Sequence, residues 1–479
     1  MDSKKNKKFY ITTTLPYVNA DPHIGFALEI IQADVIARYQ RSLGNEVFFN
    51  TGTDEHGVKI YRKAQELGMD PKAYCDIYAP KFNDLKTALN LSYDNFIRTT
   101  DSHHIKSAQE FWLRCQKNGD IYKKNYKVKY CVGCELEKTD SELQNDKCPI
   151  HPSLNIEFIE EENYFFRYSN YQQPLLDWYQ ENPDFVVPET KLNEIKEFTK
   201  RGLQDFSVSR LKEKMPWGVD VPGDPDHVMY VWSDALVSYI SALGWPENEE
   251  KFKEFWPGLQ VCGTDNLRQQ SSMWQAMLLS AGLPNSKQIF IHGFISVNGQ
   301  KMSKSLGNVV SPYDLVAKYG TDALRYYLLR EISPTQDGDF TYEKFEARYQ
   351  SDLAGGIGNL LARIVTLSAK PNFESQTQNI KIIEETKNTQ KDCEKYLSEF
   401  KFNEALKSIW DLIGFCDKYI NEQKPWEGRE NAMQAISDML FALGEISKMI
   451  LPFLPETSEK IKKALINKKS EILFPRVLT

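Results

Sequence analysis

Apolar and polar positions first alternate along the opening of the chain and then settle into a helical period. Phe9-Tyr10-Ile11-Thr12-Thr13-Thr14 alternates and is β-branched, which predicts a strand. A turn from Leu15 to Pro22 follows, carrying Pro16, Asn19 and Asp21. From Ile24, apolar residues recur at Ala27, Ile31 and Val35, a helical spacing that Gly44 ends. Glu46-Val47-Phe48-Phe49-Asn50 predicts a second strand, closing in Thr51-Gly52-Thr53-Asp54-Glu55-His56-Gly57. Strand, helix and strand at these lengths make a βαβ unit with parallel strands.

The same grammar returns later. Leu259-Gln260-Val261-Cys262 is a short apolar run closing in Gly263-Thr264-Asp265-Asn266. A helical stretch is expected from Ser271 to Ala281, then a strand from Gln288 to Ile291 that closes in His292-Gly293. The triplet Gly-Thr-Asp thus follows a strand twice, and open α/β sheets bind ligands at strand C-termini. His23, Asp54, Asp265 and His292 lie at such ends and are expected to converge on one crevice.

From about Cys115 to Met229 the βα rhythm gives way to charges, aromatics and short strand-like pieces, the pattern of an inserted domain. Beyond Tyr342 the chain reads as helical, with Leu353, Ile357, Leu360, Leu361 and Ile364 in one apolar stripe. Phe373 to Lys391 is polar and charge-rich, and reads as a connection between helices with a solvated face. No repeat of solenoid length is present.

Composition narrows the class. The 479 residues suffice for two or more domains, and the net charge of −7 argues against broad nonspecific nucleic-acid binding while leaving room for a local basic face. No apolar run reaches membrane-spanning length and no signal-peptide core follows Met1, so a cytoplasmic protein without membrane attachment is expected. Cys75, Cys115, Cys262, Cys393 and Cys416 are scattered singles, the usual pattern of small core hydrophobes.

Cys131, Cys134 and Cys148 group with His151 instead. Two close pairs, C-x2-C and C-x2-H, supply three thiolates and an imidazole, a closed tetrahedral set for one structural Zn2+. The alternative is two reduced loop pairs and a surface histidine.

His23-Ile24-Gly25-Phe26 opens a predicted helix, where a phosphate can approach bare backbone and meet a histidine donor. Far downstream, Lys301-Met302-Ser303-Lys304-Ser305 forms a cationic turn flanked by Gly299 and Gly307-Asn308. Solvated lysines and a packing glycine are the bland reading of each motif alone. Together they predict a nucleoside triphosphate site. Leu15, Tyr17, Trp232, Tyr239 and Trp274 would make a dry slot for an apolar side chain, with Asp54 at its mouth to pair an ammonium group.

These residues resemble the class I aminoacyl-tRNA synthetases and, within them, the methionyl-tRNA synthetase family. The matching segments are Thr13 to Asn19, His23 to Gly25, Thr51 to Gly57 and Tyr230-Val231-Trp232-Ser233-Asp234-Ala235. Lys301 to Asn308, Tyr319-Gly320-Thr321-Asp322-Ala323-Leu324-Arg325 and Gln336-Asp337-Gly338-Asp339-Phe340 continue the match. The resemblance implies an α/β Rossmann-like catalytic domain with an inserted zinc-bearing connective domain, followed by an α-helical bundle that binds the anticodon. It implies activation of L-methionine with ATP to methionyl-adenylate, with Mg2+ accompanying ATP, and transfer to the 3′ end of tRNA(Met).

By that resemblance His23 and Gly25 belong to the ATP signature, and the Lys301, Met302, Ser303 and Lys304 turn binds the β- and γ-phosphates. Gly263 and Asp265 would hold the ribose, and Asp54 the methionine ammonium. Ala235, Leu236 and Gln270 join the five slot residues named above in a methionine pocket. Asn359, Arg363 and Trp426 match the family's anticodon readers; Trp426 would stack an unstacked base while the other two read its edge.

Three positions depart from the pattern. Phe26 stands where the ATP signature usually ends in histidine, Gln270 where the pocket commonly has one, and Ser233 where a bulky apolar residue is usual. The expected divisions are catalytic halves at 1–114 and 230–298, the connective insert at 115–229, a lysine-loop region at 299–345 and the helical domain at 346–479. The chain ends after the helices, from which a monomer is expected. The rival readings are a synthetase for leucine, isoleucine, valine or cysteine, a related nucleotidyltransferase, and a zinc-containing tRNA-binding protein without catalysis.

Overall fold

The computed structural model describes residues 7–134, 136–302, 306–370, 373–469 and 471–476. The chain forms two compact units, the first from residues 1–21, 45–84 and 93–291, the second from 22–44, 85–92 and 292–479.

The first unit is built on a six-stranded sheet in the order β3-β2-β1-β12-β13-β7. Its strands are β1 (Lys8–Thr13), β2 (Glu46–Thr53), β3 (Asn95–Arg98), β7 (Val186–Val187), β12 (Leu259–Gly263) and β13 (Gln288–His292). β1 runs parallel to both β2 and β12, as the βαβ reading requires. The order places β1 and β12 side by side although most of the unit separates them in sequence. That is a topological switch point, and the turns after β1 and β12 flank the crevice it leaves.

The segment between β3 and β12 carries two further sheets. β4 (Ile121–Cys131), β5 (Leu136–Lys138), β6 (Glu157–Phe166) and β8 (Phe206–Ser207) form an antiparallel sheet, and β9 (Ser209–Leu211), β10 (Asp220–Val221) and β11 (Asp224–Met229) a smaller one. Phe111, Trp245, Trp274 and Tyr239 pack at the centre of the unit's core, with Trp274 fully buried. The expected helix from Ser271 begins earlier and differently. Gln269–Met273 is a π-helical turn that runs into an α-helix over Trp274–Ser280. Wide turns of this kind occur often at functional sites.

The second unit contains α1 (Ile24–Ser42), a three-stranded sheet of β14 (Ile295–Val297), β15 (Gln300–Lys301) and β16 (Gly338–Phe340), and the C-terminal helices. The Tyr319-to-Arg325 motif supplies its hub. Arg325 is fully buried; it pairs with Asp34 of α1 at 2.8 Å and donates to the carbonyls of Leu89, Pro452 and Phe453. Burial pushes the Asp34 carboxyl up, but Arg325 and then Arg38 outweigh it and hold it below the usual range. Removing Asp34 would leave the buried Arg325 charge without its carboxylate, a loss of about 3–5 kcal/mol, whereas Asp34 without Arg325 keeps Arg38 at 2.8 Å.

The expected connection over Phe373 to Lys391 is corrected. Ile380–Ser398 is a helix whose buried stripe is Ile382, Thr386, Thr389, Cys393 and Leu397. Two threonines and a cysteine occupy core positions there, so the apolar period is hidden behind polar residue types. Cys75, Cys115, Cys262, Cys393 and Cys416 are all buried, as core hydrophobes.

Candidate active site

In the first unit Leu15, Tyr17 and Asp54 follow strands of the sheet, while the other predicted slot residues lie on helices or at a helix end. Tyr17 and Asp54 are bridged side by side, with the Asp54 N–H donating to the Pro16 carbonyl at 3.0 Å. The turn that presents Asp54 is held by its neighbour. Glu55 is fully buried and receives Arg98 through Nε at 2.6 Å and Nη2 at 2.9 Å, plus the hydroxyls of Thr53 and Thr100. A carboxylate satisfied on both oxygens fixes the backbone around it.

Trp232 and Ala235 lie on the short helix Val231–Ala235, with Leu236 at its C-cap. Asp234 of the same helix is buried, accepting from His56 Nδ1 at 2.5 Å and from His104 Nε2 at 2.7 Å. Burial pushes its carboxyl up, but the two imidazoles, His56 first, outweigh it and hold it at about 2. Because His56 Nδ1 is bound there while the His56 backbone N–H donates to Asp54 Oδ1 at 3.3 Å, this triad ties the Asp54 turn to the Trp232 helix. His56 and Asp234 stand inside the matched motifs but carried no predicted role. Their side chains are 178 positions apart, and no local spacing could have paired them.

Tyr239 and Trp274 meet edge to face with ring centroids 6.1 Å apart. Gln270 is buried, and its Nε2 donates to the Tyr239 hydroxyl while its Oε1 accepts from Gln260 at 2.9 Å. It therefore orients the tyrosine from behind. Ser233 is buried and donates to the Val208 carbonyl at 3.4 Å. Leu15 is half-buried in the turn after β1. At the end of β12, Gly263 caps a turn that carries Asp265, whose side chain is exposed.

The Cys/His group also lies in this unit. Cys134 Sγ is 3.5 Å from Cys148 Sγ and 3.3 Å from His151 Nδ1, and Cys131 Sγ is 3.9 Å from His151 Nδ1. Bonds of about 2.3 Å to sulfur and 2.1 Å to nitrogen give a tetrahedral ion ligand edges of about 3.5–3.8 Å. The four residues can therefore hold one metal ion. Gly133 makes this possible, since a Cβ there would stand 2.4 Å from the His151 ring.

In the second unit, His23 caps α1. Its Nδ1 accepts the Gly25 N–H at 3.0 Å, and a Cβ on Gly25 would fall 2.8 Å from the imidazole and 3.4 Å from Met302 Cε. Burial lowers the His23 pKa, so the ring is neutral at pH 7 with its proton on Nε2. The helix start thus offers one imidazole N–H, while its backbone N–H groups are already engaged: Ile24 donates to the Val310 carbonyl at 3.1 Å, Gly25 to His23 Nδ1, and Phe26 and Ala27 to the His23 carbonyl at 3.1 and 3.2 Å. Phe26 is 9% exposed and spends its ring on the core. His292 closes β13; its Nε2 lies 2.9 Å from Glu29 Oε2 of α1, and its Nδ1 2.8 Å from the Gly293 carbonyl. Lys301 is exposed on β15, and Asn308 Nδ2 donates to its carbonyl at 3.2 Å. Ser303 and Lys304 lie outside the described residues.

Asn359 is exposed at the start of the Asn359–Ser368 helix, one turn before Arg363. Arg363 donates to Asp417 and Asn421 at 2.7 Å each and stands 5.4 Å from the Trp426 ring centre. Trp426 is 45% exposed, an aromatic face open to solvent.

Comparison with known proteins identifies the family. The family model described as tRNA synthetases class I (M) matches residues 9–155 and 134–365, and that of the anticodon-binding domain of tRNA ligase matches 379–476. The chain belongs to the methionyl-tRNA synthetase family. A methionine–tRNA ligase of Thermotoga maritima is 44% identical over 95% of this chain and 74% of its own. One from Caldanaerobacter subterraneus is 42% identical over 98% of this chain and 79% of its own. Among solved structures, Mycobacterium tuberculosis methionyl-tRNA synthetase in complex with methionyl-adenylate superposes with a TM-score of 0.91 at 36% identity, covering 95% of this chain and 93% of that one.

Proposed function

We propose that this chain catalyses the methionyl-tRNA synthetase reaction. The methionine carboxylate attacks the α-phosphorus of ATP in line, forming methionyl-adenylate and releasing pyrophosphate. The terminal ribose hydroxyl of tRNA(Met) then takes the methionyl group. The observation that carries this reading is 44% identity to a methionine–tRNA ligase across nearly the whole chain, with the matching signature residues intact at His23, Gly25, Asp54 and Lys301.

In this reading the residues divide the work. Asp54 pairs with the ammonium group, and Leu15, Tyr17, Trp232, Ala235, Leu236, Tyr239 and Trp274 surround the thioether, with Gln270 holding Tyr239 in place. Gly263 and Asp265 hold the ribose. His23 Nε2–H, Lys301 and Lys304 stabilise phosphate charge as it develops, aided by Met302 and Ser303 of the same motif and by the dipole of α1. Mg2+ enters with ATP as its phosphate complex. Asn359, Arg363 and Trp426 read the anticodon. Cys131, Cys134, Cys148 and His151 hold one structural Zn2+, the ion that suits three thiolates and an imidazole with no open position. The divisions are 1–114 and 230–298 for the catalytic domain, 115–229 for the insert, 299–345 for the lysine-loop region and 346–479 for the helical domain. The working unit is a single chain acting in the cytoplasm. No helix among the described residues is long and apolar enough to cross a membrane.

Amino-acid-dependent ATP–pyrophosphate exchange tests the reading. Exchange with methionine well above that with leucine, isoleucine, valine or cysteine is expected. Preference for another amino acid would overturn the specificity, and no exchange with any would favour a tRNA-binding role without catalysis.

A further inference from the structure

The Gln336-to-Phe340 motif matches the family but has no part in the site as described. Its setting supplies one. β14 and β15 are joined by a two-residue turn at Asn298 and Gly299, with φ of 52° and 71°, the left-handed geometry of a tight hairpin. This hairpin carries Lys301. It is fastened to β16 at each level. At its base, the Phe294 N–H donates to Asp337 Oδ1 at 2.8 Å, and a Cβ on Gly293 would fall 2.1 Å from the Gln336 carbonyl oxygen. At its tip, the Asn298 N–H donates to the Phe340 carbonyl at 3.1 Å and the Gly299 N–H to Asp339 Oδ1 at 2.7 Å.

Asp339 has a second bond. Its Oδ1 also accepts the Ser296 hydroxyl at 2.6 Å, and Ser296 is the strand partner of both Asp339 and Lys301. Asp339, Ser296 and Lys301 therefore form one row across the sheet, with the carboxylate fixing the row's centre and the turn beyond it. The Ser296 hydroxyl and then the Gly299 N–H hold that carboxyl below its ordinary range, as expected of an acceptor in use.

We propose that Asp339 is a positioning residue for Lys301, setting the lysine hairpin for adenylate formation while taking no part in transfer to tRNA. This rests on the function proposed above. Lysine contacts to the β- and γ-phosphates matter only until pyrophosphate leaves, so the two half-reactions separate the roles.

The test uses the full chain with Asp339→Ala, Asp339→Asn and Ser296→Ala. Methionine-dependent exchange is measured beside single-turnover transfer from preformed, enzyme-bound methionyl-adenylate to tRNA. Asp339→Ala should lower the kcat of exchange about 10- to 100-fold, the scale of a displaced reacting group. The methionine KM and the transfer rate should stay at wild-type values. Asp339→Asn should recover most of the exchange, because an amide oxygen still accepts both bonds. Ser296→Ala, which keeps the Gly299 bond, should lower exchange about fivefold and decides the matter alone if Asp339→Ala does not fold. Wild-type exchange in the alanine variants overturns the proposal, as does an equal loss of exchange, transfer and methionine affinity. A wild-type protein with no methionine exchange would instead defeat the underlying function, before any variant is compared.

Discussion

In the proposed reaction one ring gives His23 two tasks. Its Nδ1 caps α1 by accepting the Gly25 N–H, which leaves Nε2–H as the only proton the neutral imidazole can offer a phosphate. The roles separate by substitution. Asn places an acceptor where Nδ1 stands but has nothing at the reach of Nε2. His23→Asn should therefore keep the cap and the thermal midpoint while lowering the kcat of methionyl-adenylate formation about 10²–10³-fold. Pre-steady-state adenylate formation and a melting curve check both halves. A variant that melts early, or one that activates methionine normally, contradicts the assignment. Gly25 belongs to the same device, because any side chain there would push the imidazole off its nitrogen.

At the scale of elements, legibility followed whether partners are local. The βαβ start was readable because β1, α1 and β2 each carry their own period and stops. The Cys/His set was readable because its ligands come as two tight pairs on turns. Ile380–Ser398 was not, since Thr386, Thr389 and Cys393 hold core positions that a hydrophobic count passes over. Nor was the link between His56, His104 and Asp234, which exists only once the sheet brings the two motifs together. The knuckle's own prediction follows from its geometry. The β4–β5 hairpin supplies Cys131 and Cys134 at one side, and the loop before β6 supplies Cys148 and His151. On the proposal that these four residues hold one ion, purified protein should contain one zinc per chain by metal analysis. Cys148→Ser should lower that content and raise proteolysis between β4 and β6 first. A metal-free protein with a protected knuckle would contradict this.

For the whole molecule, the family assignment and the residues that bear on it agree on one reaction in two steps. The residues proposed for the methionine slot belong to the first unit. The helix start at His23, the lysine hairpin and the exposed Trp426 belong to the second. The net charge of −7 leaves tRNA binding to local groups rather than to an overall field, and Arg363 is the one proposed here. Fold class was legible from the order of motifs. Individual partners such as Asp339 for Ser296, or Gln270 for Tyr239, needed the folded register. The central claim meets its most direct test in the complete reaction: labelled methionine, ATP and tRNA are incubated with the purified protein, and the tRNA is examined for an ester at its 3′ end. Methionyl-tRNA should form on methionine-accepting tRNA and fall sharply with Trp426→Ala. Methionine-dependent release of pyrophosphate without any methionyl-tRNA, or esterification with another amino acid, would contradict the account.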